Sequence, residues 1–283
     1  MKIRVSLACL LLCVSTQVAP ATAQDAARLT ASLKAITDGA DNAARRDAIV
    51  AQLKTIGVQP VIETFGGGRN AGANIVVTLP GRDPRTILLG AHYDRVMMGQ
   101  GAVDNGAACA ALIEIIAAIK AFPLQQLTLK VVFFDREENG LQGSRAFFND
   151  RPRIDYALNV DVFAYGGSIF ATGSHPDGLL LRWLQVAGKE AGLPVRDVPR
   201  GRYPTSDHQT MMNAGVETLG IGLVDQADID GILALSGGKP APAPRILQII
   251  HTPADTLAEV RPEQMARGIT LVEQLIRIVD RSQ

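Results

Sequence analysis

Apolar residues recur at helical spacing in two stretches near the N-terminus, "DAARLTASLKAI" and "NAARRDAIVAQLKTIG", and Gly57 stops the second. Beyond them the pattern changes. "PVIETF", "ANIVVTL" and "RTILLGAHYD" read as strands. "NGAACAALIEIIAAIKAF" is apolar nearly all round, which predicts a buried helix, and "LTLKVVFFD" is apolar on both faces, as in the middle of a helix-covered sheet. "ALNVDVFAYG" and "SIFATG" predict further strands, "PDGLLLRWLQVAGKEAG" a helix and "VETLGIGLV" another strand. Residues 225–244, rich in Gly, Ala and Pro, read as a loop. "RILQII" after them reads as a last core strand, and "RPEQMARGITLVEQLIRIVD" as a closing amphipathic helix. Strands alternating with helices indicate an α/β layered sheet. No internal repeat or long low-complexity linker divides the chain, so one domain is expected.

The first residues modify this picture. Lys2 and Arg4 precede the apolar run "VSLACLLLCVSTQVA", and "ATA" at Ala21 to Ala23 has the small-x-small form of a cleavage site. The run is short for a membrane span. Cys9 and Cys13 do not fit a lipoprotein signal, one lying almost on the charged region and the other following Leu12. Residues 1–23 are therefore read as a cleavable signal and residues 24–283 as an exported catalytic domain, periplasmic or secreted, with no membrane contact after cleavage. That mature chain keeps one cysteine, Cys109, so it has no internal disulfide. Its charge is close to balanced, 26 basic residues against 28 acidic once Lys2 and Arg4 are removed, which gives no electrostatic case for nucleic acid or anionic lipid.

Potential metal ligands recur where apolar runs end. "ILLGAHYD" reaches His92 and Asp94, "VVFFDREE" reaches Glu137 and Glu138, "LNVD" reaches Asp161, and "ILQIIH" reaches His251. Asp104 sits where "GAVDNGA" enters the buried helix. Ligands of open α/β sheets bind at the carboxyl ends of the strands, so residues far apart in sequence converge there. His and carboxylate donors together suit zinc. Taken singly, most of these residues have plainer uses. Asp104 before a helix has the form of an N-cap, and His175 and His208 read as surface or core histidines. Asp161 inside an apolar run is harder to dismiss, because an unpaired buried carboxylate is costly.

The ordered set H-x-D, D-N-G, E-E, N-V-D and H-T-P-A-D-T-L resembles the family-twenty-eight zinc peptidases, secreted bacterial aminopeptidases with two co-catalytic zincs. The resemblance runs from about Asn74 to the C-terminus. It implies a zinc aminopeptidase-like three-layer sandwich, with a central mixed, mostly parallel sheet flanked by helices. It also implies two zinc ions, His92 and Asp161 holding one, Glu138 and His251 the other, and Asp104 bridging both. Asp94 would orient the His92 imidazole, and Glu137 would be the general base. "YPTSDH" fits as well, with Tyr203 a candidate oxyanion donor. The implied substrates are peptides with a free N-terminus, since two zincs about 3.5–4 Å apart leave room for an α-amine. Because successive residues at a strand end point to opposite sides, one Glu would bind metal while its neighbour faces the water. Arg95 and Val103 depart from the family pattern without touching a ligand. Residues 66–68, 95–101 and 225–244 are expected to wall the substrate pocket.

Glutaminyl cyclases of the same superfamily are the nearest alternative, with one zinc and N-terminal Gln as substrate, but "HTPADTL" has the aminopeptidase form. Dizinc carboxypeptidases and deacylases space the early ligands more widely. A non-catalytic binding domain on this fold would have lost ligands, and none is missing.

Overall fold

In the computed structural model, which describes residues 23–149, 154–239 and 241–283, the central strands bury nearly every side chain. They are β3 (Thr86–His92), β4 (Thr128–Phe134), β5 (Tyr156–Phe163) and β8 (Glu217–Val224), preceded by β1 (Val61–Phe65) and β2 (Gly72–Leu79). With β6 (Ser168–Gly173) and β7 (Val195–Asp197) they form one eight-stranded sheet in the order β1-β2-β4-β3-β5-β8-β6-β7. The four central strands are mutually parallel, while β2 pairs antiparallel with β1 and β4, β6 antiparallel with β8, and β7 parallel with β6.

Two cores form because successive strand residues face opposite sides. Val131 and Phe133 of β4 point into the larger core, and Val132 and Phe134 into the smaller. The larger core is covered by α1 (Ala23–Thr37), α2 (Asn42–Thr55), α3 (Ala107–Ala121), α5 (Leu179–Ala191) and α9 (Pro262–Arg281). The smaller is covered by α4 (Gln142–Asn149) and α6 (His208–Asn213), whose Phe147 and Met211 pack into it. The result is the expected three-layer α/β sandwich. The span Ala102–Ala121 is long and apolar enough to cross a membrane, and here it lies largely buried inside the fold.

Two expectations are corrected near the C-terminus. Residues 225–244 are not all loop: α7 (Gln226–Ser236) occupies more than half of them, with Ile229 and Leu233 buried at helical spacing. "RILQII" is not a strand but a short helix, α8 (Arg245–Ile249), burying Ile246 and Ile249. Those two positions are three apart, and the helix starts after Pro244, whose fixed φ suits the residue before a first turn. An apolar run this short cannot by period alone distinguish buried strand from helix. Of the signal read in residues 1–23, all but Ala23 lies outside the described residues.

Candidate metal centre

The parallel strands β3, β4 and β5 end at the same edge of the sheet, so their ends converge. His92 is the last residue of β3, and its ring is almost wholly buried. Cys109 in the first turn of α3 donates its thiol to the His92 carbonyl at 3.1 Å, and burial pushes that thiol up to about 12. Asp161 lies within β5 at a break in the β5–β8 register between Val160 and Phe163. The neighbouring Val162 has φ 51°, a left-handed value that costs a β-branched residue about 1–3 kcal/mol. A bulge of this kind re-aims a side chain. Here it brings Asp161 Oδ1 to 3.4 Å from His92 Nε2.

The two glutamates do not alternate across a strand end as expected. β4 stops at Phe134, and Arg136, with φ 59°, turns the chain so that Glu137 and Glu138 occupy a turn after the strand. Their backbone N–H groups donate to the two oxygens of the Asp94 carboxylate, Glu137 to Oδ1 at 3.0 Å and Glu138 to Oδ2 at 3.1 Å. Asp94 Oδ1 also stands 3.4 Å from His92 Nδ1. One buried carboxylate thus fixes both the histidine and the glutamate pair.

Asp104 is the junction of the centre. Its Oδ1 lies 3.1 Å from His92 Nε2 and its Oδ2 lies 3.1 Å from His251 Nε2. His251 Nε2 is in turn 3.2 Å from Glu138 Oε2. The ligand atoms of His92, Asp104 and Asp161 all lie within 4.8 Å of one another, and so do those of Asp104, Glu138 and His251. A third such group, His92 with Glu137 and Glu138, places Glu137 beside both triads. His251 does not end a strand. It follows α8 with φ 59°, half exposed, at the open side of the centre.

The donor set fits zinc. Each triad offers three nitrogen and oxygen atoms, the number of protein ligands in catalytic zinc sites. Asp161 Oδ1 and Glu138 Oε1 are buried with no hydrogen-bond partner, which a bound cation would supply.

The charges behave as a coupled cluster. Burial opposes the charged form of His92, yet Asp161, Asp104 and Asp94 hold its pKa well above the usual imidazole value. The bond to Asp104 raises His251 to about 9. Burial would raise Asp104, but its two histidines hold it well below the usual carboxylate range. Glu137 is pushed up to about 9 by burial, reinforced by Asp161, Asp207 and Asp104, and Glu138 to about 7 by burial and Asp104.

Tyr203 packs its ring 4.6 Å from Phe170 and edge-on to His208, and its hydroxyl donates to the Phe170 carbonyl at 3.4 Å. Burial and Asp161 raise its pKa. His208 is fully buried and held down at about 4 by burial, whereas His175 is exposed. One structural residue escaped the sequence reading although it lies in a quoted motif. Asp255 of "HTPADTL" accepts from the N–H groups of Ala102 (2.8 Å), Val103 (2.7 Å) and Asp104 (3.3 Å), fixing the loop that carries the junction carboxylate.

The sheet, with two possible metal-ligand triads gathered near the ends of β3, β4 and β5, gives an α/β fold with a candidate metal centre. Residues 74–276 match Peptidase family M28, and the chain belongs to that family. It is 29% identical over 183 residues to leupeptin-inactivating enzyme 1 of Streptomyces exfoliatus, covering 62% of this chain and 41% of that protein. The chain spans less than half the length of the curated relatives it matches. Its fold is similar to that of a zinc aminopeptidase from Bacillus subtilis, with a TM-score of 0.62 and 19% identity over 74% of this chain and 50% of that one. It is similar also to that of Porphyromonas gingivalis glutaminyl cyclase, with a TM-score of 0.72 and 17% identity over 90% and 98%.

Proposed function

We propose that this M28 peptidase is an exported aminopeptidase that uses two zinc ions to release the N-terminal residue of peptides. The observation that carries the reading is Asp104, whose two carboxylate oxygens each meet a different histidine and so belong to two separate triads. His92 and Asp161 would hold one ion, Glu138 and His251 the other, and Asp104 both. Zinc, when bound, supplies a Lewis acid that polarises a carbonyl and makes water acidic near neutral pH.

The chain's own groups do the rest. Glu137 accepts the proton of the attacking water and delivers it to the leaving amine, a task its place beside both triads allows. Asp94 keeps Glu137 in reach through its backbone N–H and keeps Glu138 turned toward His251. Tyr203 becomes an oxyanion donor by exchanging its long bond to Phe170 for the substrate oxygen. Export rests on the charge, apolar run and "ATA" of residues 1–23, and the N-terminal sequence of protein recovered outside the cytoplasm should begin at Gln24.

The second reading, glutaminyl cyclase, is favoured by the fold likeness just given, which covers 98% of the cyclase chain. Hydrolysis of leucyl anilide, its N-acetyl form and glutaminyl anilide separates the two. The aminopeptidase reading expects turnover of the free amine and almost none of the acetylated substrate. Comparable rates on both would indicate an endopeptidase or deacylase. Conversion of the glutaminyl substrate to pyroglutamate, with leucyl anilide untouched, would establish the cyclase.

A further inference from the structure

α2 lies outside the part of the chain that matches the family, yet its Arg45 side chain is wholly buried beside the metal centre. Burying a guanidinium is costly unless its donors are used. All three of its nitrogens donate to backbone carbonyls. Nε reaches Tyr93 O at 2.6 Å, Nη1 reaches Gln100 O at 2.9 Å, and Nη2 reaches Gly101 O at 3.1 Å. Tyr93 separates His92 from Asp94, and Gln100 and Gly101 lead into Asp104. The two ends of the His92–Asp104 contact are therefore tied to a single planar side chain.

The same loop is held from its other side by Asp255, which takes amides where Arg45 takes carbonyls. Burial lowers the Arg45 pKa and Arg95 adds to that, while the opposite charges of Asp94 and Asp255 offset part of it without placing a carboxylate in its fork. A lysine at this position offers a point charge and cannot span three carbonyls in one plane. α2 makes a further tie at its first residue. Asn42 Nδ2 donates to Asp135 Oδ1 at 2.9 Å, and Asp135 follows β4 directly, two residues before Glu137. Arg95, from the loop after Asp94, returns a bond to Ala40 O at 3.1 Å.

We infer that Arg45 is a positioning residue for the metal centre, and that the helix pair α1–α2 is thereby a working part of the site rather than an extension of the family core. The inference rests on the zinc reading above. Positioning contacts behind a metal ligand typically govern affinity or activity by about 10- to 100-fold.

The test is zinc affinity, measured by competition with a chromogenic chelator on the wild-type chain, Arg45→Lys, Asn42→Ala and Asp280→Asn. The cobalt-substituted visible spectrum is recorded on each. Asp280 is a control of similar burial remote from the ligands, accepting from the N–H groups of Gln125, Gln126 and Leu127 at 2.8 Å each. Arg45→Lys should bind zinc about 10- to 100-fold more weakly with an altered cobalt spectrum, while Asp280→Asn loses thermal stability but keeps wild-type affinity and spectrum. Asn42→Ala removes one half-buried bond and should lose about twofold to tenfold in affinity, so it carries the test if Arg45→Lys does not fold. Wild-type affinity in folded Arg45→Lys, or in Asn42→Ala where the lysine variant does not fold, would overturn the inference. So would an equal loss in Asp280→Asn. A wild-type chain that binds no zinc would overturn the zinc reading itself, a result distinct from these.

Discussion

Glu137 and Glu138 carry the same side chain on adjacent residues, and both hang from the same carboxylate through their backbone N–H groups. What separates them is where each points. Glu138 reaches His251, whereas Glu137 stands beside His92 among like charges. Replacing Glu137 by Gln should leave zinc content unchanged and lower kcat by roughly 10²–10⁴, the usual worth of a placed acid–base group. Replacing Glu138 by Gln should lower zinc content first, with activity partly recovered in excess zinc. Equal metal loss in both variants would contradict the division of labour. Asp104→Ala should lose both ions, since both triads share it.

The same residues predict a proton count. His251 titrates near 9 and His92 well above its usual value, so both are protonated in the metal-free chain at pH 7.5. A ligating imidazole must be neutral and a general base ionised, so zinc binding should release at least two protons per chain, from both histidines and, beyond them, from Glu137, which burial pushes up to about 9. Calorimetric titrations in buffers of different ionisation enthalpy measure this directly, and a binding enthalpy independent of the buffer would contradict the charge assignment. The five residues that meet at the centre, and Glu137 beside them, were legible in the sequence because potential metal donors are of a few side-chain types. Asp255 and Arg45 were not, because they act on backbone groups, which every residue has.

Among the elements, the long ones with a sustained period were legible and the short ones were not. α3 and α9 are found where the pattern placed them, while α8 has five residues, too few for a period to show. The glutamate turn was misread as a strand-end alternation because the positive φ at Arg136 leaves no mark in the sequence. That turn is braced where β4 passes into α4. Asn74 Oδ1 accepts from Asp135 N at 3.1 Å, and its Nδ2 donates to Gly143 O at 2.9 Å. A Cβ on Gly143 would lie 2.3 Å from Asp135 O and 2.5 Å from Asn74 Oδ1. Gly143→Ala should therefore cost about 1–3 kcal/mol in urea unfolding and lower activity with it. A variant as stable and active as the wild type would show that the junction tolerates displacement.

α6 supplies a pH dependence. His208 titrates near 4 in the fold because burial disfavours its charged form, against about 6.5 unfolded. Between these values the unfolded chain binds the extra proton, so stability falls as pH falls, by up to roughly 3 kcal/mol across the window. Urea unfolding in chelator at pH 7 and pH 5 should show the loss in the wild type and a smaller one in His208→Asn. Equal losses would place the acid sensitivity elsewhere.

At the scale of the whole molecule, the layered α/β architecture followed from alternation of strand and helix patterns. The mostly parallel centre was implied by the family resemblance, and the runs apolar on both faces agree with it. The sheet order followed from neither, because β3 is inserted between β4 and β5 by long-range pairing that no local pattern records. That order brings the ends of β3, β4 and β5 to one edge, and the helix pair α1–α2 reaches the same edge through Arg45 and Asn42. One centre with two triads sharing Asp104 underlies all of these expectations. The most direct test is the zinc content of the purified chain, by atomic emission after dialysis against trace zinc, with aminopeptidase activity followed as zinc is restored to chelated protein. About two zincs per chain are expected, with activity rising as both sites fill. Full activity with a single zinc, or none bound by a folded chain, would contradict a two-zinc centre.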